Sequence, residues 1–111
     1  MDTSYARDHV EAFNDAVTTG DWQSFADHFA EGAILEFVGP PVGPFTGRDA
    51  ILKAYVEHPP DDTIEIRGPV AVKGAELVVP YRWRSTGATG TMLITVQSNE
   101  VSHLTVTFDD P

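Results

Sequence analysis

Three kinds of side chain in this sequence carry groups able to move a proton or orient a polar ligand: one carboxylate in a strand-like run, scattered imidazoles, and a set of phenols and indoles among apolar neighbours. Glu36 is the only carboxylate in the run 33–38 (Ala-Ile-Leu-Glu-Phe-Val). Facing a dry interior, it would be a general base. Strand alternation puts Leu35 and Phe37 on one face and Ile34, Glu36 and Val38 on the other, so Glu36 is either that base or a solvated or interface charge. His9, one turn before Phe13, and His28 are the two imidazoles considered as pocket acid–base groups; the alternative for each is a surface or half-buried ring. Tyr55 presents a hydroxyl either to an interior space or to backbone and water. Tyr81 and Trp83 alternate with Arg82 and Arg84. With the aromatic pair inward, Tyr81 Oη–H and Trp83 Nε1–H are fixed donors for a ligand oxygen. The opposite facing turns two guanidiniums towards an anion.

Other chemistries lack their residues. There is no cysteine, and His9, His28, His58 and His103 form no i,i+4 pair, so no metal site is expected. GxSxG, P-loop and GxGxxG motifs are missing, and no cofactor is expected. Seven basic against seventeen acidic residues give a net charge of −10, which disfavours nucleic acid and anionic membrane surfaces as partners. The charge is uneven: residues 1–32 hold seven acids and one base, Arg7. Solvated helix faces, a docking surface for a basic partner and adaptation to a salty cytoplasm are the alternatives. No basic-then-apolar leader and no membrane-length apolar run is present, which predicts a cytoplasmic protein.

The elements that position these groups follow from periodicity. Between Thr3 or Ser4 as cap and Gly20 as stop, Tyr5, Ala6, His9, Val10, Phe13, Ala16 and Val17 recur at intervals of three and four, an amphipathic helix. Asp21 caps a shorter helix carrying Trp22, Phe25, Ala26 and Phe29 and closed by Gly32. The run 33–38 is a strand. Gly39-Pro40-Pro41-Val42-Gly43-Pro44 is irregular, because prolines lack ladder donors. Thr46 or Gly47 opens a helix with Ile51, Leu52, Tyr55 and Val56 on one face, stopped at His58-Pro59-Pro60. Four strands follow, 63–72, 77–85, 89–96 and 101–108, joined by turns at Lys73-Gly74, Thr86-Gly87 and Ser98-Asn99. Pro69 and Pro80 inside these runs predict bends or bulges. At 111 residues the chain is a single α+β domain, helices packed on one face of a mostly antiparallel sheet.

This order of elements resembles the nuclear transport factor 2-like superfamily, in its SnoaL-like and steroid Δ-isomerase-like branch. Three local segments carry the likeness: Gly20-Asp21-Trp22 at the junction of the first helices, Phe29-Ala30-Glu31-Gly32-Ala33 leading into the first strand, and Thr46-Gly47-Arg48-Asp49-Ala50-Ile51 at the third helix. They specify fold rather than catalysis. The resemblance implies a cone-shaped, strongly curved sheet with three helices on its concave side. It also implies an apolar cavity for a small apolar or aromatic ligand, and a homodimer through the outer sheet face. In the steroid isomerases a strand Asp acts as base while a helix Tyr and a late-strand Asp polarise the ketone. The matching positions here are Phe37, Phe13 and Leu93, all apolar.

A cavity of this kind would be lined by Phe13, Phe37, Tyr55, Tyr81, Trp83, Leu93, Leu104, Val106 and Phe108. Two function classes stay open: a pocket protein for a small apolar molecule, with or without one general base (Glu36, His9 or His28), and a non-catalytic dimeric docking module. An epoxide-opening enzyme needs a buried Asp–Arg–Asp set, whereas the strand carboxylates here are Glu36, Glu65 and Glu76.

Overall fold

The computed structural model describes residues 3–39 and 42–109, so Pro40 and Pro41 of the proline-rich loop lie outside the described residues. Helix α1, Ser4–Thr19, buries Ala6, His9, Val10, Phe13 and Ala16 along one stripe. It stops at Gly20, whose φ of 79° is the left-handed conformation that a Cβ disfavours, with the Gly20 N–H on the Ala16 carbonyl at 2.8 Å. Helix α2, Trp22–Ala26, is capped by Asp21, which accepts from the Ser24 N–H at 3.1 Å and the Ser24 hydroxyl at 2.7 Å.

Here the chain departs from expectation. Helix α2 ends before Phe29 and Gly32, and strand β1 already begins at Phe29, running to Val38. Its ladder with the last strand slips between Phe29 and Ile34. This irregular stretch is tied down by Arg48, whose Nε and Nη2 donate to the Phe29 carbonyl at 3.0 and 2.8 Å while Nη2 also meets Glu100 at 3.2 Å. Gly32 therefore lies within a bulged strand, not at a helix end.

A two-residue strand not expected from the sequence, β2 (Phe45–Thr46), pairs antiparallel with β1. Helix α3, Arg48–Glu57, buries Ile51 and Tyr55 and half-buries Leu52, but Val56 is 58% exposed rather than part of the packed face. The run 63–72 is two strands, β3 (Ile64–Ile66) and β4 (Ala71–Lys73), broken around Pro69. Both pair with β5 (Glu76–Trp83), covering successive parts of one edge. Strands β6 (Thr89–Gln97) and β7 (Glu100–Phe108) complete an antiparallel meander, with Ser98 and Asn99 both at positive φ in its last turn. The sheet order is β2-β1-β7-β6-β5-β3, and among the described residues only the β1–β7 pair is parallel.

The apolar faces of the three helices and the inward side chains of β1, β5, β6 and β7 form one buried cluster, the curved-sheet roll that the resemblance implied. No helix among the described residues is long and apolar enough to cross a membrane.

Asn14 joins α1 to the sheet edge. Its amide donates to the Ile64 carbonyl and accepts from the Ile64 N–H, both at 2.9 Å, imitating a strand's two backbone bonds. Asn14→Ala is expected to lower the unfolding free energy by about 2 kcal/mol, since both groups of Ile64 lose their partners. A urea denaturation curve measures this; an unchanged midpoint would show that water replaces the amide at no cost.

Candidate functional site

Cross-strand registers build one wall of an interior space. Leu35 stands opposite Leu104, which faces Ile94 and then Leu77; in the next inward row Phe37, Val106, Met92 and Val79 lie side by side. The third row runs Phe108, Gly90, Tyr81 and Ile66. Against this wall, α1 presents His9 and Phe13 and α3 presents Ala50, Ala54 and Tyr55. The helices do not fill the concavity, leaving a cavity of about 670 Å³. Exposed Val42, Lys53, Glu57 and His58 mark its mouth.

Phe13, Phe37, Tyr55, Tyr81, Trp83, Leu104, Val106 and Phe108 all border this space. Leu93 does not: it pairs with Thr105 and Val78 in a row with Glu36, on the outer face, and Met92 takes the inward place. The expectation slips by one residue on a strand whose two faces are Gly90-Met92-Ile94, turned inward, and Thr91-Leu93-Thr95, turned outward. The first set is the more apolar, and that contrast is the sequence signal that identifies Met92.

The candidate bases are separated. Glu36 lies outside the cavity, with Oε2 3.6 Å from Nε2 of His103. His28 is exposed and contributes its backbone carbonyl to the Val101 N–H. Arg82 and Arg84 point away from the interior, Arg82 pairing with Glu65 at 2.9 Å, so the arrangement with guanidiniums inside is not adopted. His9 alone of the three reaches the cavity, and it is 5% exposed. Its ring packs against Phe25 at 5.3 Å and Phe29 at 6.0 Å between centroids. Burial, helped by the charge of nearby His28, pushes its pKa down to about 4. His9 is therefore a neutral imidazole at neutral pH.

The phenols are neutral too. Burial raises the Tyr55 pKa well beyond the usual range, with a further push from Tyr81. Burial takes Tyr81 up to about 12, against an opposing pull from the Trp83 indole N–H. Tyr81 Oη donates to the Thr107 carbonyl at 3.2 Å, so its proton is not the free donor that the sequence suggested. The ring reaches Thr107 by crossing Gly90, where a Cβ would lie 2.2 Å from the Thr107 oxygen and 2.5 Å from Tyr81 Oη. Only glycine fits there, because the obstacle is backbone.

Among the described residues bordering the cavity, the only carboxylate is Glu57, at the mouth, 3.7 Å from Lys53. The interior is thus an aromatic-walled space with a few polar atoms and, among the described residues, no charged side chain away from its mouth.

Solved structures share this fold at low identity. An NTF2-like protein of unknown function from Burkholderia xenovorans superposes with a TM-score of 0.71 at 21% identity, covering 97% of this chain and 85% of that one. A candidate ketosteroid isomerase from Kribbella flavida gives 0.71 at 20% identity, with 97% and 80% covered. A candidate polyketide cyclase from Sinorhizobium meliloti gives 0.66 at 22% identity, with 89% and 93% covered. Among curated proteins no relative of the sequence is found. The SnoaL-like domain model matches residues 10–109, from the middle of α1 to the end of the last strand, and the chain belongs to that family.

Proposed function

We propose that the protein binds a small, largely apolar or aromatic molecule inside the cone. The single observation behind this is the open cavity of about 670 Å³ between sheet and helices, whose walls are Leu, Val, Phe, Tyr and Trp side chains. Such a space suits a ligand of two or three rings, driven in by burial of apolar area and retained by shape. The steroid-isomerase route is disfavoured, since Phe13 and Phe37 occupy two of its polar positions and Met92, also apolar, is the inward residue of the late strand. Relatives described as a ketosteroid isomerase and a polyketide cyclase support a ligand of this general kind. A docking module with its interior packed shut would not leave this space.

The test is a fluorescence titration with N-phenyl-1-naphthylamine, an uncharged apolar probe that brightens when it leaves water. Saturable binding at one site per chain is expected. Ala54→Phe, which projects a ring into the space from α3, should weaken it by at least about tenfold, an effect of about 1.4 kcal/mol. Circular dichroism verifies that the variant is folded. A folded variant that binds as tightly as the parent would place the probe elsewhere and overturn the proposal.

A further inference from the structure

Four polar side chains border the inner part of the cavity, and two of them are engaged with one another or with backbone. Tyr81 Oη donates to the Thr107 carbonyl and feels the indole N–H of Trp83. His9 and Tyr55 remain. The Nδ1 of His9 is sealed from solvent with no hydrogen-bond partner, so Nε2 is the ring nitrogen left to the cavity. A sealed bare lone pair is better tolerated than a sealed unbonded N–H, which places the proton on Nε2 and makes it a donor. Tyr55 Oη bonds to no described residue. Its ring is fixed by stacking on Trp22 at 4.8 Å and by the edge of Phe25 at 5.1 Å. His9 packs on that same Phe25 ring at 5.3 Å, and both His9 and Tyr55 border the cavity.

We propose that His9 Nε2–H and Tyr55 Oη–H form a two-donor recognition site for one uncharged acceptor oxygen, a carbonyl or an ether, on an apolar ligand, and that this site rejects carboxylates. The inference rests on the ligand-binding reading above and adds to it the polarity and charge of the occupant. A carboxylate taken into the cavity would lose its hydration with no cation to compensate. Among the described residues bordering the cavity the only lysine or arginine is Lys53, at the mouth and paired with Glu57. The role of His9 is to bind and orient. An imidazole held neutral by burial is too weak a base to draw a proton from carbon.

Three naphthalene probes separate the possibilities by calorimetric titration at pH 7.5: 2-acetonaphthone, its oxygen-free isostere 2-isopropenylnaphthalene, and 2-naphthoate. The ketone is expected to bind at least about tenfold more tightly than either of the others. In His9→Phe and in Tyr55→Phe its affinity should fall about fivefold, with the hydrocarbon unaffected. Equal binding of ketone and hydrocarbon to the parent protein would overturn the two-donor site and leave ligand binding standing. Failure of every probe to bind would overturn both. Imidazole nitrogen-15 NMR on the unmutated protein gives a readout independent of variant folding. Nε2 should carry the proton and shift when the ketone is added; a proton on Nδ1 would contradict the assignment.

Discussion

Phe25→Ala is expected to lower the unfolding free energy by about 4 kcal/mol, a large share of what a domain of this size possesses. Phe25 is 1% exposed, and its ring lies within 5.1 to 5.9 Å of five others, those of His9, Phe13, Trp22, Phe29 and Tyr55. These neighbours come from α1, α2, β1 and α3, so no single element can move inward to fill the void without breaking contacts on its far side. Edge-to-face geometry with Phe13, Trp22, Phe29 and Tyr55 adds to the loss, because each such pair contributes about 1 kcal/mol beyond burial. Phe25 also packs against His9 and Tyr55, which border the cavity, and its removal should loosen both together. Equilibrium urea unfolding followed by circular dichroism is the check. A lower midpoint at constant slope is expected, and a loss below about 1 kcal/mol would show that the aromatic cluster collapses freely around the gap.

The second large effect concerns acid. His9 has a pKa of about 4 in the folded protein against 6.5 as the ordinary value, so between these limits the unfolded chain binds a proton that the native chain does not. Lowering the pH through this window therefore favours unfolding, at up to about 1.4 kcal/mol per pH unit. The contribution is absent above about pH 6.5 and reaches about 3 kcal/mol by pH 4. Asp21 and Asp62, whose carboxyls are held below the usual range mainly by the Ser24 and Ser85 hydroxyls, weaken the fold in the same direction at lower pH. His9→Leu removes only the first effect. Denaturation midpoints from pH 7.5 to 4.5 should fall markedly more steeply for the parent than for His9→Leu. Parallel curves would mean that His9 titrates normally and is not sealed.

The same residues show how far the sequence could be read. Helix α1 was legible because five buried positions recur at helical spacing and Gly20 supplies the left-handed stop. The β5–β7 meander was legible from β-branched runs divided by turn pairs such as Ser98-Asn99. The start of β1 was not, since Phe25 and Phe29 share a helical interval yet sit on different elements, and only the tertiary bonds of Arg48 to the Phe29 carbonyl reveal the bulge. Pro69 and Pro80 both predict bends or bulges; Pro69 splits its run into two strands on the edge of β5, whereas Pro80 keeps register with Thr91 inside β5. At the candidate site, Phe37 and Val106 stand side by side on the inward wall, whereas Leu93, matched to the late-strand acid through the resemblance, faces outward, because a resemblance fixes strand register only to within a residue. The meaning of Gly90 was hidden altogether. It depends on Tyr81 and Thr107, nine and seventeen residues away, meeting above it. That His9 loses its charge likewise depends on Phe25 and Phe29 closing around the ring, which helical periodicity alone does not dictate.

The central claim, a ligand inside the cone, is tested most directly by intermolecular NOEs between N-phenyl-1-naphthylamine and the isotopically labelled protein. Contacts from the probe to the methyl groups of Leu35, Met92, Leu104 and Val106 are predicted, since these four share the inward wall. Contacts confined to Leu93 and Val38 on the outer face, with the inward methyls silent, would contradict it.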